Sequence, residues 1–141
     1  MARTRVETRA RARALQALYA WDMRGNDIAD LERVASQVWD DLAISPEERR
    51  IAGPIVRLIA SHSRNLDEQL AEATTNWRLE RIGAVERCAL RMALAELTIG
   101  ETPPRVVIQE AVTLSERFGS AGSAKFVNGV LDALARKMGR I

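Results

Sequence analysis

Leucines 90, 94 and 97 recur at steps of four and three, and Val127, Val130, Leu131 and Leu134 keep the same spacing near the C-terminus. Such steps gather apolar side chains on one face of a helix, whereas a half-buried strand needs strict alternation. Aromatic residues make up only 4% of the chain, and alanine and leucine are common. That balance favours helix over sheet. At 141 residues and 47% hydrophobic content, the chain can bury one real core. The expected fold is all-α: a compact bundle of about seven helices and no strand.

Punctuation residues set the expected helix limits. The first helix runs from about residue 5 to 24 and stops at Gly25-Asn26. Asp27 caps a second, over about 28–41, with Asp30 in its first turn where the helix dipole favours an anion. Ser45-Pro46-Glu47-Glu48 supplies a capping Ser, a Pro at the first helical position and a Glu at the third. The helix that follows extends to about Thr74, with a kink expected near Gly53-Pro54. A short helix at about 77–82 breaks at Gly83, and the next covers about 85–99. Thr102-Pro103-Pro104 opens another that stops at Gly119, and Ser123 caps the last, which ends near Gly139. The loops are short and no linker separates the halves, so the chain reads as one domain (1–141). It divides into two helical subdomains, at about 1–75 and 76–141. Gly129 costs a helix interior about 1 kcal/mol relative to Ala. Its place in an apolar helical run predicts close approach by another backbone or a ligand.

Charge and cysteine content exclude several classes. Net charge is +2, so the whole molecule is not a polycation. The single cysteine, Cys88, rules out an intramolecular disulfide and fits a reducing cytoplasm. No segment approaches the roughly 20 apolar residues of a membrane helix. The lone histidine, His62, lacks the partner spacing of a metal site, and a buried structural thiol is the reading for Cys88. No glycine-rich phosphate loop follows a strand. The expectation is a non-enzymatic protein with no cofactor and no metal.

Positive charge concentrates at the start, where Arg3, Arg5, Arg9, Arg11 and Arg13 face Glu7 alone. On a helical wheel, Arg5, Arg9, Arg13 and Gln16 share one sector, opposite Val6, Ala10, Ala14, Ala17, Leu18 and Trp21. The row forms a ridge about 16 Å long. Guanidiniums one turn apart suit a phosphate backbone. The alternative is a solvated face paired with acids, and Glu7 is the only acid nearby in sequence. Unstacked bases also need flat surfaces, which Tyr19 and Phe126 can offer. Phe118 reads as core and Phe126 is ambiguous. Lys125 and the free amides at that helix start favour an anion, and Asn128 can serve a base edge or fix the loop. The charged segment 78–91 carries Glu80, Glu86 and Arg91. Pairs of this kind are usually solvent-facing and worth little, so a partner surface competes here with a solvated one. Trp77 reads as core.

Several pieces occur in one order along the chain: Arg9-Ala10-Arg11-Ala12-Arg13-Ala14-Leu15-Gln16-Ala17-Leu18-Tyr19, Trp77-Arg78-Leu79-Glu80-Arg81-Ile82, Val85-Glu86-Arg87-Cys88-Ala89-Leu90-Arg91-Met92-Ala93-Leu94-Ala95-Glu96-Leu97, Val107-Ile108-Gln109-Glu110-Ala111-Val112, Phe118-Gly119 and Lys125-Phe126-Val127-Asn128-Gly129-Val130-Leu131-Asp132. As an ordered set spanning nearly the whole chain, they resemble the NusB family of bacterial transcription antitermination factors. The resemblance implies an all-helical fold and a cytoplasmic protein that binds boxA-type single-stranded RNA of nascent rRNA transcripts. It implies pairing with NusE, a ribosomal small-subunit protein, and attachment to the RNA polymerase elongation complex through other Nus factors. By resemblance, the RNA face comprises Arg5, Arg9, Arg13, Gln16, Tyr19, Lys125, Phe126 and Asn128, and Glu80, Glu86 and Arg91 meet NusE. A homodimer covering the RNA face is also compatible with it. The loop before Phe126 lacks the acid that relatives often carry, which leaves RNA strength and discrimination open. Two alternatives stand beside this reading. One is a helical protein–protein interaction module. The other is a domain related to the N-terminal domain of rRNA cytosine methyltransferases, for whose catalytic domain these 141 residues leave no room.

Overall fold

The computed structural model describes residues 5–74 and 78–141. Regular structure among them is entirely helical, and the α-helices are α1 (Arg5–Met23), α2 (Leu31–Asp41), α3 (Pro46–Ala73), α4 (Ala84–Ile99), α5 (Pro104–Phe118) and α6 (Ala121–Lys137). Two single 3₁₀ turns, Ile28–Asp30 and Leu79–Arg81, replace what the sequence suggests are the start of the second helix and a short helix of its own. The expected seven helices are therefore six plus these turns. Trp77 lies outside the described residues.

The buried cluster draws on all six helices: Leu18 of α1, Val34 of α2, Ile59 of α3, Leu90 and Leu94 of α4, Val107 of α5, and Leu131 of α6. Helix α4 is buried almost all round from Cys88 to Leu97 and forms the central post. A helix apolar on every side belongs inside a bundle. The other helices show it one face each. Both described tryptophans bridge elements through their indole N–H groups. Trp39 donates to the Arg13 carbonyl at 3.0 Å and Trp21 to the Asp27 carbonyl at 2.7 Å. Those bonds fix α2 and the turn before it against α1. No described helix is long and apolar enough to cross a membrane.

Helix α3 starts as its sequence dictates. The Ser45 hydroxyl accepts from the Glu48 amide at 3.1 Å, and the Glu48 carboxylate accepts from the Ser45 amide at 3.3 Å. Together they close a reciprocal capping box. The break in α3 is not at Pro54 but at His62, where φ is −130° and ψ is 27°. Pro54 sits with Arg50 and Ile51 on the rim of an open cavity. Water there can satisfy the carbonyl that a proline cannot bond.

The last helix begins earlier than the sequence suggests. Ser120, not Ser123, is its cap, and the Ser120 hydroxyl accepts from the Ser123 amide at 3.1 Å. The turn from α5 closes tightly because residue 119 has no side chain. A Cβ there would lie 2.7 Å from both the Ser115 carbonyl oxygen and Ser123 Oγ. Gly129 has no such reason: nothing lies within 4 Å of the position its Cβ would take, so close backbone approach does not explain it.

Candidate nucleic-acid interface

Helix α1 carries two sets of arginines with different fates. Arg5 and Arg9 are exposed, and Arg13 is half-buried. Arg11, between them, is 3% exposed and belongs to the core. Its Nε and Nη2 donate to the two Glu96 oxygens at 2.6 and 2.9 Å, and its Nη1 donates to Glu110 at 3.2 Å. Burial pulls this guanidinium toward deprotonation, but Glu96 and the Glu110 charge outweigh it and keep it firmly cationic.

The ridge is not as poorly neutralised as the local sequence suggests. Arg13 Nε donates to Glu48 at 2.9 Å, and Arg13 Nη1 donates to Gln16 at 3.2 Å. Glu48 also lies 4.0 Å from Arg9 Nε. The counter-charge arrives from α3, 35 residues away in sequence. Burial raises the Glu48 carboxyl, yet Arg13 and the Ser45 amide and hydroxyl together hold it below its usual 4.5.

Further along α1, Gln16 and Tyr19 line an apolar cavity of about 250 Å³ with Leu15, Val85 and Phe118. Tyr19 is 42% and Phe118 39% exposed, so Phe118 is not the core residue its sequence position suggests. It ends α5 at the surface, with the Arg117 guanidinium 5.0 Å from its ring centre. Ring, aromatic neighbour and cation make a platform on which a flat group can stack.

A second cavity of about 250 Å³ flanks the other side of the first turn of α4, lined by Arg81, Ile82, Gly83, Glu86 and Phe126. Phe126 is half-buried there, while Lys125 and Asn128 are exposed. Because α6 starts at Ala121, Lys125 and Phe126 sit in its second turn, away from the free amides expected beside them. Ser123 Oγ donates to Glu86 at 2.8 Å, and Glu86 and Phe126, which the resemblance gives to a protein partner and to RNA, line this one cleft.

Of the other residues expected to face a protein, Glu80 is exposed and lines an open groove with Ser63, Arg64, Asp67 and Arg78. Arg91 is not available to a partner. It is 6% exposed, its Nε and Nη2 donate to Asp67 at 3.0 and 3.2 Å, and it lies over the Trp21 ring at 5.3 Å. Its charge stays inside because Asp22, whose side chain is wholly buried, sits 3.4 Å away.

Asp22 also receives Arg87 Nε and Nη2 at 3.2 and 2.5 Å. Arg87 Nη1 donates to the carbonyls of Leu79 and Ile82 at 3.2 and 2.6 Å, pinning the 3₁₀ turn that displays Glu80. Sequence reasoning missed both arginines as structural groups. The available signal was their i, i+4 spacing on a helix otherwise buried.

Cys88 lies in this buried region. Burial and, after it, the Asp22 charge push its thiol up to about 12. The thiolate is the reactive form, so native protein should resist iodoacetamide at pH 8 and take one equivalent only after denaturation. Native labelling at the rate of a free thiol would contradict this placement. Among the described residues no group of His, Cys, Asp and Glu is arranged to hold a metal ion.

Residues 8–136 match the model of the NusB family. The transcription antitermination protein NusB of Anaeromyxobacter dehalogenans is 44% identical over 131 residues, covering 91% of this chain and 89% of that protein. Its counterpart in Yersinia enterocolitica is 42% identical over 130 residues, with 90% of each chain covered. Among solved structures, T. maritima NusB superposes with a TM-score of 0.84 at 29% identity, over 96% of this chain and 93% of that one. A crystal structure of antitermination factors NusB and NusE in complex with double-stranded RNA contains a chain that superposes with a TM-score of 0.85 at 28% identity, over 96% of this chain and 99% of that one. The family match over residues 8–136 and the near full-length similarity agree: the chain belongs to the NusB family.

Proposed function

We propose that the protein is a cytoplasmic, non-catalytic transcription antitermination factor. In this reading it binds boxA-type single-stranded RNA of nascent rRNA transcripts together with NusE, and joins the RNA polymerase elongation complex to suppress premature termination. The observation that carries the proposal is the α1 surface. There the exposed Arg5 and Arg9, with Arg13 and Gln16, lead into the cavity of Tyr19 and Phe118. Guanidiniums grip phosphate, and the adjoining rings offer stacking for an unpaired base. Lys125, Phe126 and Asn128 extend this face across the first turn of α4. Glu80 and Glu86 serve the protein partner.

A second reading has one observation in its favour. Tyr19, Met23 and Phe118 leave much apolar surface exposed, with Tyr19 and Met23 one turn apart on α1. Such a surface also suits a purely protein contact.

Binding to a boxA-type RNA and to its scrambled version, with and without NusE, separates the readings. The proposal expects preference for boxA, strengthened by NusE. Equal, weak binding to both strands, untouched by NusE, favours the protein-only module. Arg9→Ala should weaken RNA binding and flatten the salt slope by about 0.7, the share of one phosphate on a single strand. Its stability should change by no more than about 0.5 kcal/mol, as for an exposed position. RNA affinity and salt slope both unchanged in this variant would remove the ridge from the RNA face.

A further inference from the structure

We infer that Glu48 sets the RNA discrimination of the arginine ridge: it orients Arg13 and damps the ridge's attraction for phosphate of any sequence. The inference rests on the RNA-binding reading above and adds to it a residue from another helix.

The geometry supports both parts. Glu48 is 6% exposed and anchored at the start of α3 by its bond from the Ser45 amide. Its Oε2 accepts from Arg13 Nε at 2.9 Å, and its Oε1 stands 4.0 Å from Arg9 Nε. A carboxylate that cannot swing away thus lies behind two successive guanidiniums of the ridge. Gln16 takes Arg13 Nη1 at 3.2 Å, so a second contact restricts the Arg13 plane. A fixed guanidinium presents its remaining donors in one direction and rewards a ligand shaped to meet them. The same pairing cancels charge. Phosphate attraction is independent of sequence, so cancelling part of it weakens non-cognate strands most, relative to the contacts that read bases. Arg9, with its side chain 51% exposed, keeps the long-range pull, whereas Arg13, at 27%, becomes a positioned contact.

Glu48→Gln in the full chain tests this. The Gln oxygen can still accept from the Ser45 amide, so the cap survives while the charge behind Arg13 is lost. The expected result is about two- to fivefold tighter binding of the scrambled RNA, the worth of one screened ion pair. The boxA-to-scrambled affinity ratio should fall, and the salt slope should steepen by about 0.7 as Arg13 takes up a phosphate. Arg13→Lys is the companion variant. It keeps the charge and loses the planar fork, so it should retain scrambled binding while losing boxA preference. Circular dichroism and thermal melts confirm that each variant is folded. Scrambled-strand affinity that is unchanged or reduced in folded Glu48→Gln overturns the inference, as does an undiminished ratio in both variants. An Arg9→Ala variant with unaltered RNA binding marks instead the failure of the RNA reading itself.

Discussion

Arg11→Ala is expected to lower the unfolding free energy by about 3–5 kcal/mol, the usual result of stripping one partner from a buried ion pair. For a chain of this size that is a fall of roughly 10–15 °C in melting temperature. Arg11 forks onto Glu96 and reaches Glu110, which also accepts from the Thr8 hydroxyl at 2.9 Å. Glu96 is 7% and Glu110 3% exposed. Truncation at Arg11 therefore strands the Glu96 carboxylate and takes one partner from Glu110 at the junction of α1, α4 and α5. Loss of packing by a long side chain adds to this, but the electrostatic part dominates. The double variant Arg11→Ala with Glu96→Gln, which removes one stranded charge, should recover part of the loss. If chemical denaturation gives a deficit below about 1 kcal/mol, in the range of a surface substitution, Arg11 is not a structural charge.

Asp22→Ala is expected to cost about 3 kcal/mol through the same mechanism with the signs reversed. Two guanidiniums, those of Arg87 and Arg91, converge on a carboxylate whose side chain is fully buried. Each has a second set of partners, the Leu79 and Ile82 carbonyls for Arg87 and Asp67 for Arg91. That holds the effect to the lower end of the range. Asp67→Ala is the control. Its side chain is 35% exposed, so water can replace it, and a loss of no more than about 1 kcal/mol is expected. Equal losses in the two variants would show that burial at Asp22 is not what makes its pairings count. Hydrogen exchange adds a local readout: amides of the 3₁₀ turn at Leu79–Arg81 should exchange faster in Asp22→Ala than in Asp67→Ala.

The helices were legible because their signals are local. Spacing of leucine and valine, the Ser45-to-Glu48 capping box and the glycines at 25, 83 and 119 each act within a few residues. What failed locally was competition between equals. Ser120 and Ser123 are both good caps, and the tight approach at Gly119 favours the earlier one. Pro54 looked disruptive, yet it lies where water can reach the backbone, and the break falls at His62 instead.

The site was legible by face but not by partner. A helical wheel separates Arg5, Arg9 and Arg13 from the apolar side, and the structure keeps that separation for all three. The same wheel places Arg11 with Ala14 and Leu18, at steps of three and seven, which is a signal for burial. Its counter-charges lie 85 and 99 residues away in sequence, so no window over α1 contains them. Glu48 is hidden in the same way, since its cap is local but its grip on Arg13 is not. Phe118 ends its helix beside a glycine, and sequence alone could not tell whether the chain turns its ring inward or outward.

The distance between Arg11 and its counter-charges has a meaning in time as well as in space. A ribosome adds about 5–20 residues per second. Between the emergence of Arg11 and that of Glu96 and Glu110 there are therefore roughly 5–20 seconds in which α1 exists without its acids. Over that interval the nascent first helix holds a charge that belongs in the core and has nothing there to meet it. It must stay hydrated until α4 and α5 are made, so the buried pairing of α1 cannot form before they do.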